Sequence, residues 1–284
     1  MKIERTGVHS VKDFGSVAIY LIGCGGTGSH LAFHIASLVR DLQAMHIHAS
    51  LTLIDHDTVE EKNIGRQRFF SAEIGGSKVE ALASRISLWL GLDHIYAIPT
   101  SVPDAWSILD KPMNSTAELS VFVSCVDDSL NRRTHTTARQ DVHEFMSNRM
   151  RWANLSNYWI DCGNDNDSGN VYIGNGLALN GFGGMVSSIP FPTLQNPILL
   201  EYEEPLVPLD NCALATERGE QSLVINSLVA ANAYTILHAL LIDQQLECMA
   251  VSVACNPSIA QPTLLPYITD ETETADGTDS EENL

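Results

Sequence analysis

The chain is poor in positive charge. Its 284 residues carry 16 Lys and Arg against 35 Asp and Glu, a formal net charge of −19. Nucleic acid is therefore not expected as a partner, because binding it depends on clustered cations that neutralise phosphates. Seven of the acids follow Thr269, so the body of the chain still carries −12. That balance reads first as solubility and self-repulsion, and second as attraction for a basic partner protein. Long apolar runs are also missing. No uninterrupted run reaches 18 residues, so no membrane span is expected. Met1-Lys2-Ile3-Glu4-Arg5-Thr6-Gly7 lacks the apolar segment of a signal peptide. The six cysteines, at positions 24, 125, 162, 212, 248 and 255, are too scattered for a disulfide framework. The expectation is a cytosolic protein with reduced thiols. No internal repeat is visible.

What the chain does have is a hydrophobic content of 44%, enough for one large α/β core. Its most informative stretch is residues 17–78. An apolar run, Val17-Ala18-Ile19-Tyr20-Leu21-Ile22, leads directly into Gly23-Cys24-Gly25-Gly26-Thr27-Gly28. A helical pattern comes after it, then Leu51-Thr52-Leu53-Ile54 and Asp55. This order is strand, glycine turn, helix, strand, acid. Glycines let the chain turn tightly and let a phosphate approach bare backbone, while the next helix offers unpaired N–H groups to an anion. An acid ending the second strand is placed to bond ribose hydroxyls, although Gly28 to Asp55 exceeds the usual spacing of about 20 residues. Asn63, Arg66, Gln67 and Lys78 come next. Hydride transfer has no general need for them, whereas chemistry at a nucleotide phosphate does.

Gly23-x-Gly25-Gly26-x-Gly28, Asp55-x-Asp57-x-Val59, Asn63-x-x-Arg66-Gln67 and Gly76-Ser77-Lys78-Val79-Glu80 together resemble the signature of the ThiF-type and ubiquitin-activating-enzyme family. Cys125-Val126-Asp127-Asp128 resembles that family's Cys-Thr-Asp-Asn. These motifs cover residues 17–163. The short chain and its Cys212 region look most like small ThiF-type proteins of bacterial PRTRC gene systems. The resemblance implies a Rossmann-like, doubly wound, mainly parallel α/β sheet, with an antiparallel C-terminal part and a long crossover loop. It implies one adenylation domain over 1–268, with a nucleotide-binding half at 15–163 and a second half at 164–268, before an acidic disordered tail at 269–284.

The implied reaction is ATP-dependent adenylation of the C-terminal glycine of a small ubiquitin-like or sulfur-carrier protein. Two anions must meet, so the site needs cations and a metal on the phosphates. Arg66 and Lys78 would hold phosphates, with Asn63 and Gln67 as neutral donors, and Asp55 would hold ribose in a pocket that includes Asp57. Asp127 would hold Mg²⁺, which usually takes one or two carboxylates plus substrate oxygens. Cys212 would receive the activated acyl group as a thioester, the weakest of these assignments on chemistry alone, since free cysteines are commonly packing residues. Cys24, Cys125 and Cys162 read as core or turn residues. A conjugating enzyme and a homodimer are further implications. No Cys-x-x-Cys pair is present for structural zinc, and only about 15 residues precede the first strand, too few for the family's Arg-rich N-terminal helix. Two rival readings share the glycine turn: an NAD-dependent oxidoreductase, and a nucleotide-binding partner subunit without catalysis.

Elsewhere the pattern predicts helices from Thr27 to about Met45, from Ser77 to about Leu90, over 103–109, from Ser129 to about Trp152, and from Gln221 to about Ile242. Strands are expected over 94–99, 119–125, 158–163, 171–173 and 249–255, with 171–173 forming a hairpin with the segment after it. Between 177 and 215 five prolines exclude a long helix. His30 and His34 lie one helical turn apart with His46 and His48 beyond, but no carboxylate or cysteine joins them at ligand spacing, so surface or helix-packing histidines are expected rather than a metal site.

Overall fold

A computed structural model describes residues 5–101, 117–126, 130–131, 136–137, 142–143, 146, 157–200 and 223–269. Its centre is a sheet of eight strands. In chain order these are β2 (Ser16–Ile22), β3 (His48–Ile54), β4 (Ile95–Ile98), β5 (Leu119–Ser124), β8 (Asn157–Asn164), β9 (Ser168–Gly174), β13 (Cys248–Cys255) and β14 (Ser258–Leu264). They lie side by side as β14-β13-β9-β8-β5-β2-β3-β4. From β4 to β8 every pairing is parallel, and from β8 to β14 every pairing is antiparallel. This is the Rossmann-like mixed sheet that the motifs implied.

The apolar runs form central strands because both faces are covered. Val17, Ile19 and Leu21 point to one core, with Leu31, Ile35 and Leu38 of α1 (Gly26–Ala44) and Ile225, Val229 and Ile236 of α4 (Leu223–Leu241). Ile22 and Phe122 point the other way, to a second cluster with Trp159, Val142, Met146 and Phe191. α2 (Lys78–Leu90) begins at Ser77, whose hydroxyl accepts the Glu80 N–H, and ends at Gly91 in a left-handed conformation.

The register sets the site. Ile22 of β2 lies opposite Ile54 of β3 on one side and Ser124 of β5 on the other. The sequence leaves β2 toward β3 and later returns to its opposite flank with β5. The turn after Ile22 therefore opens at the carboxyl edge where strand order reverses, the usual place for a ligand in open α/β sheets.

Several expectations are corrected. Val171–Ile173 pairs back on β8, Ile160 opposite Ile173, and takes the distant β13 on its other side instead of the segment directly after it. The helix expected over 129–152 is interrupted where it is described: β6 (Leu130–Asn131) pairs antiparallel with β7 (Thr136–Thr137). Thr and Asn are weak helix formers, and β-branched Thr suits a strand. Helical geometry is found at Val142, His143 and Met146. Over 177–200 the chain forms β10 (Asn180–Phe182), β11 (Met185–Ser188), a four-residue α3 (Pro192–Gln195) and a 3-10 turn. With β1 (Val8–Ser10) and β12 (Gln245–Leu246), β10 and β11 make a second sheet, β10-β11-β1-β12. The final strand is β14, not β13. The apolar pattern predicts α4 to be buried throughout, yet Val224 is exposed. By length and composition Val224–Leu241 is apolar enough to cross a membrane, contrary to the expectation from uninterrupted runs, and half of it is buried. It packs on α1 and on one face of the sheet. The helix expected over 103–109 and the acidic tail from 270 lie outside the described residues.

Candidate functional site

The glycine turn is shaped by neighbours on three sides. A methyl group on Gly28 would sit 1.9 Å from the Gly23 carbonyl oxygen, and one on Gly26 would sit 2.6 Å from Asn226 Oδ1 on α4. Packing alone requires glycine at these two positions, beyond the tight turn that the sequence called for. Gly25 differs: among the described residues a methyl there would meet nothing nearer than Gln67 Nε2, at 4.0 Å. It also ends the turn at the N-terminus of α1, which no side chain among the described residues caps and which has no acid in its first turn. The first N–H groups of such a helix have no intrahelical acceptor and, with the helix dipole, favour an anion.

Asp55 braces this turn. Its Oδ2 accepts the Cys24 N–H at 2.6 Å and its Oδ1 accepts the Asp57 N–H at 2.8 Å. A carboxylate has about four acceptor sites, so two backbone bonds leave capacity for ribose hydroxyls. Burial raises the Asp55 carboxyl above its ordinary range; Lys78 opposes the rise, while Asp57 adds to it.

Lys78, expected at the phosphates, sits in the first turn of α2. It is buried, and its ammonium donates to Asp57 Oδ2 at 2.8 Å. Burial alone would push Asp57 up, but the Lys78 hydrogen bond and charge, helped by His56 and Lys62, hold its carboxyl below the ordinary range. The Lys78 N–H also bonds the Asp57 carbonyl, and Thr58 bridges to Ser77, so α2 starts tied to the end of β3. Ligand atoms of Asp55, His56 and Asp57 lie within 4.8 Å of one another; the Lys78 ammonium already lies against Asp57.

The Asn63–Gln67 segment closes one side. Asn63 is buried and turns inward: its Oδ1 accepts the Glu60 N–H at 2.8 Å and its carbonyl accepts the Gln67 N–H. It shapes the loop at least as much as it offers a donor. Arg66 is half-buried, its Nε donating to the Lys62 carbonyl at 3.2 Å. Gln67 is buried beside Gly25, and its Oε1 has no hydrogen-bond partner among the described residues. A buried, unpartnered carbonyl costs about 1–3 kcal/mol unless something completes it. Open backbone at Gly25, free helix N–H groups, nearby cations and this orphaned amide fit a nucleotide with its phosphates over the turn.

The structure thus brings Gly23, Gly25, Gly26, Gly28, Asp55, Asp57, Asn63, Arg66, Gln67 and Lys78 to one edge of the sheet. Asp127 and Cys212 lie outside the described residues. Cys24, Cys125 and Cys162 are buried, as expected. Burial, then Asp55, raises the Cys24 thiol; a hydrogen bond to Cys162, then burial, raises Cys125. Neither has the character of a nucleophile. His30 Nδ1 lies 3.2 Å from Arg68 Nε and 3.3 Å from Ser227 Oγ, while His34 stacks on Tyr234, so both pack as expected.

Sequence reasoning missed two contributors. Asn226 of α4 accepts from Thr27 Oγ1 at 3.1 Å, and Asn164 at the end of β8 lies 3.2 Å from the same hydroxyl. The signal available for Asn226 was weak, since the same helix also holds Ser227, Asn232, Thr235 and His238. Behind the site, Ser124 Oγ donates to Asp161 Oδ1 at 2.5 Å, and His143 Nε2 meets the same oxygen at 2.8 Å. Trp159 Nε1 donates to Ser124 Oγ, and His143 Nδ1 faces the Leu199 carbonyl. This network is sealed from solvent and supports the end of β5.

Comparison with known proteins agrees with this geometry. Residues 1–138 match the model of the ThiF family. Mouse adenylyltransferase and sulfurtransferase MOCS3 is 28% identical over 107 residues, 37% of this chain and 22% of that protein. The fold is similar to E. coli MccB crystallised with ATP, with a TM-score of 0.54 and 15% identity over 92% of this chain and 66% of that one. It is also similar to PaaA, with a TM-score of 0.53 and 16% identity over 88% of this chain and 73% of that one. The chain spans only part of these relatives' length. Over residues 1–138, just under half of the chain, it is similar to the ThiF family, and the Rossmann-like sheet that carries those motifs has the fold of the solved structures above.

Proposed function

We propose that the chain is an ATP-dependent adenylyltransferase that activates the C-terminal carboxylate of a small ubiquitin-like or sulfur-carrier protein. The observation that carries the reading is the buried Lys78, paired with Asp57 beside an open glycine turn and the orphaned Gln67 amide. The names of its relatives support the class: MOCS3 is an adenylyltransferase and sulfurtransferase, and MccB was crystallised with ATP.

In this reading the triphosphate lies over Gly25 and the first turn of α1, with the ribose against Asp55. Lys78 and Arg66 offset charge on the phosphates as the carboxylate, itself an anion, approaches. A carboxylate oxygen bonds to the α-phosphorus, the bond to the β-phosphate's bridging oxygen breaks, and pyrophosphate leaves with its electron pair. The acyl-adenylate remains. Asp127 would hold the Mg²⁺ that neutralises phosphate charge. Cys212 would take the acyl group as a thioester and release AMP, with a conjugating enzyme as a later acceptor, and a homodimer is the assembly we expect.

ATP–pyrophosphate exchange with the cognate carrier tests the reading. Arg66→Ala and Asp127→Ala should abolish exchange in folded protein, and Cys212→Ala should spare it and remove only a reducible carrier adduct. Exchange that survives Arg66→Ala and Asp127→Ala would refute the assignment.

A further inference from the structure

The loop carrying Arg66 and Gln67 has little regular structure beyond two 3-10 turns, Glu61–Asn63 and Ser71–Glu73. Residue 68, between them, is held by two helices. Its N–H donates to Ser29 Oγ on α1 at 3.1 Å, and its carbonyl accepts from Arg85 Nη2 on α2. Arg85 has other partners on the same loop. Its guanidinium carbon lies 4.7 Å from the centre of the Phe70 ring, and its Nε lies 2.9 Å from Glu73 Oε1. It also lies 5.4 Å from the ring of Phe33 on α1. The Arg85 and Glu73 side chains are only 22% and 16% exposed, so water screens the pair weakly. One side chain thereby joins α1, α2 and the loop on both sides of Phe69.

We infer that Arg85 is a positioning residue for the nucleotide: it fixes the peptide after Gln67, so that Gln67 and Arg66 stay registered against the glycine turn. The inference rests on the ATP reading above. The position calls for arginine. A guanidinium aims an N–H at a carbonyl and holds its delocalised charge beside a carboxylate while lying within cation–π reach of two rings; a lysine ammonium is a point charge that does not meet this set of partners together.

The test measures ATP dissociation constants by calorimetry, and exchange kinetics with carrier, for the full chain. The variants are Arg85→Met, Arg85→Lys, Arg66→Ala and Arg66→Ala with Arg85→Met. Arg85→Met should weaken ATP binding about ten-fold, equivalent to about 1.4 kcal/mol, because small displacements of positioning groups are costly. KM for the carrier should not change, and Arg85→Lys should recover little. In the Arg66→Ala background, Arg85→Met should add less than about two-fold, since residues acting through one another are not additive. Should Arg85→Met not fold, Glu73→Gln loosens the same clamp and carries the same expectation. Unchanged ATP affinity in a folded variant, or equal effects in both backgrounds, would overturn the inference alone. A wild-type chain that binds no ATP would overturn the functional reading and the inference with it.

Discussion

Replacing Lys78 separates nucleotide binding from stability. The ammonium lies 2.8 Å from Asp57, with side chains 6% and 50% exposed respectively. Removing one partner of a fully buried pair costs about 3–5 kcal/mol, because the other charge stays desolvated. Asp57 is half in water and rehydrates, so Lys78→Met should cost less, about 1–2 kcal/mol. For a chain of this size that lowers Tm by roughly 2–8 °C. Adding Asp57→Asn removes the second charge, and most of the lost stability should return. ATP affinity should not return with it, since the cation that meets the phosphates is still absent. The loss expected for one charge-assisted contact is about 10- to 100-fold. Thermal melts and calorimetric ATP titrations of Lys78→Met, Asp57→Asn and the double variant give both readouts. A double variant that regains both Tm and ATP affinity would make Lys78 a structural ion pair, and the phosphate role would be wrong.

Acidification should destabilise the chain. Burial lowers the imidazole pKa of His9, His30 and His34, the last two helped by Arg68. The unfolded chain then takes up protons below about pH 6.5 while the folded one does not, so stability falls as pH drops through that point toward the folded pKa values. Asp57, held low, adds a loss at more acidic pH as its folded carboxyl protonates, whereas Asp55, held high, works in the opposite sense. Urea midpoints at pH 7.5, 6 and 5 check this, and a midpoint that rises toward pH 5 contradicts it. Gly28→Ala puts a methyl 1.9 Å from the Gly23 oxygen and should cost about 3 kcal/mol in chemical denaturation; a near-neutral result would mean the turn has room to move. Asp161→Ala should cost about 3–5 kcal/mol, because it strips Ser124 and the buried His143 of a shared acceptor. A loss below about 1 kcal/mol would show that the network contributes little to stability.

The parts of this fold that could be read in the sequence are those fixed by local chemistry. Val17 to Ile22 alternates between two cores, and that demands a doubly covered strand wherever the strand sits in the sheet. Ser77 with Glu80 announces the start of α2 because a cap is satisfied within one turn. Contacts made across long separations gave no such signal. β1 pairs with β11, Val8 opposite Met185, and nothing near Val8 specifies a partner that far along the chain. The same holds within the site. Gly25 and Gly26 are adjacent and identical in type, yet among the described residues one meets only Gln67 at 4.0 Å and the other faces Asn226, a difference imposed by α4 from the far end of the sequence. The motif marks Lys78 as a phosphate cation but not as the partner of Asp57; the bend that returns Asp57 to it is made by backbone bonds through Thr58 and Val59, which composition does not encode. Motif residues state which chemistry is available. Residues such as Asn226 and Arg85, which no motif contains, hold that chemistry in place, and substitutions there should separate a folded chain from one whose nucleotide groups are in register.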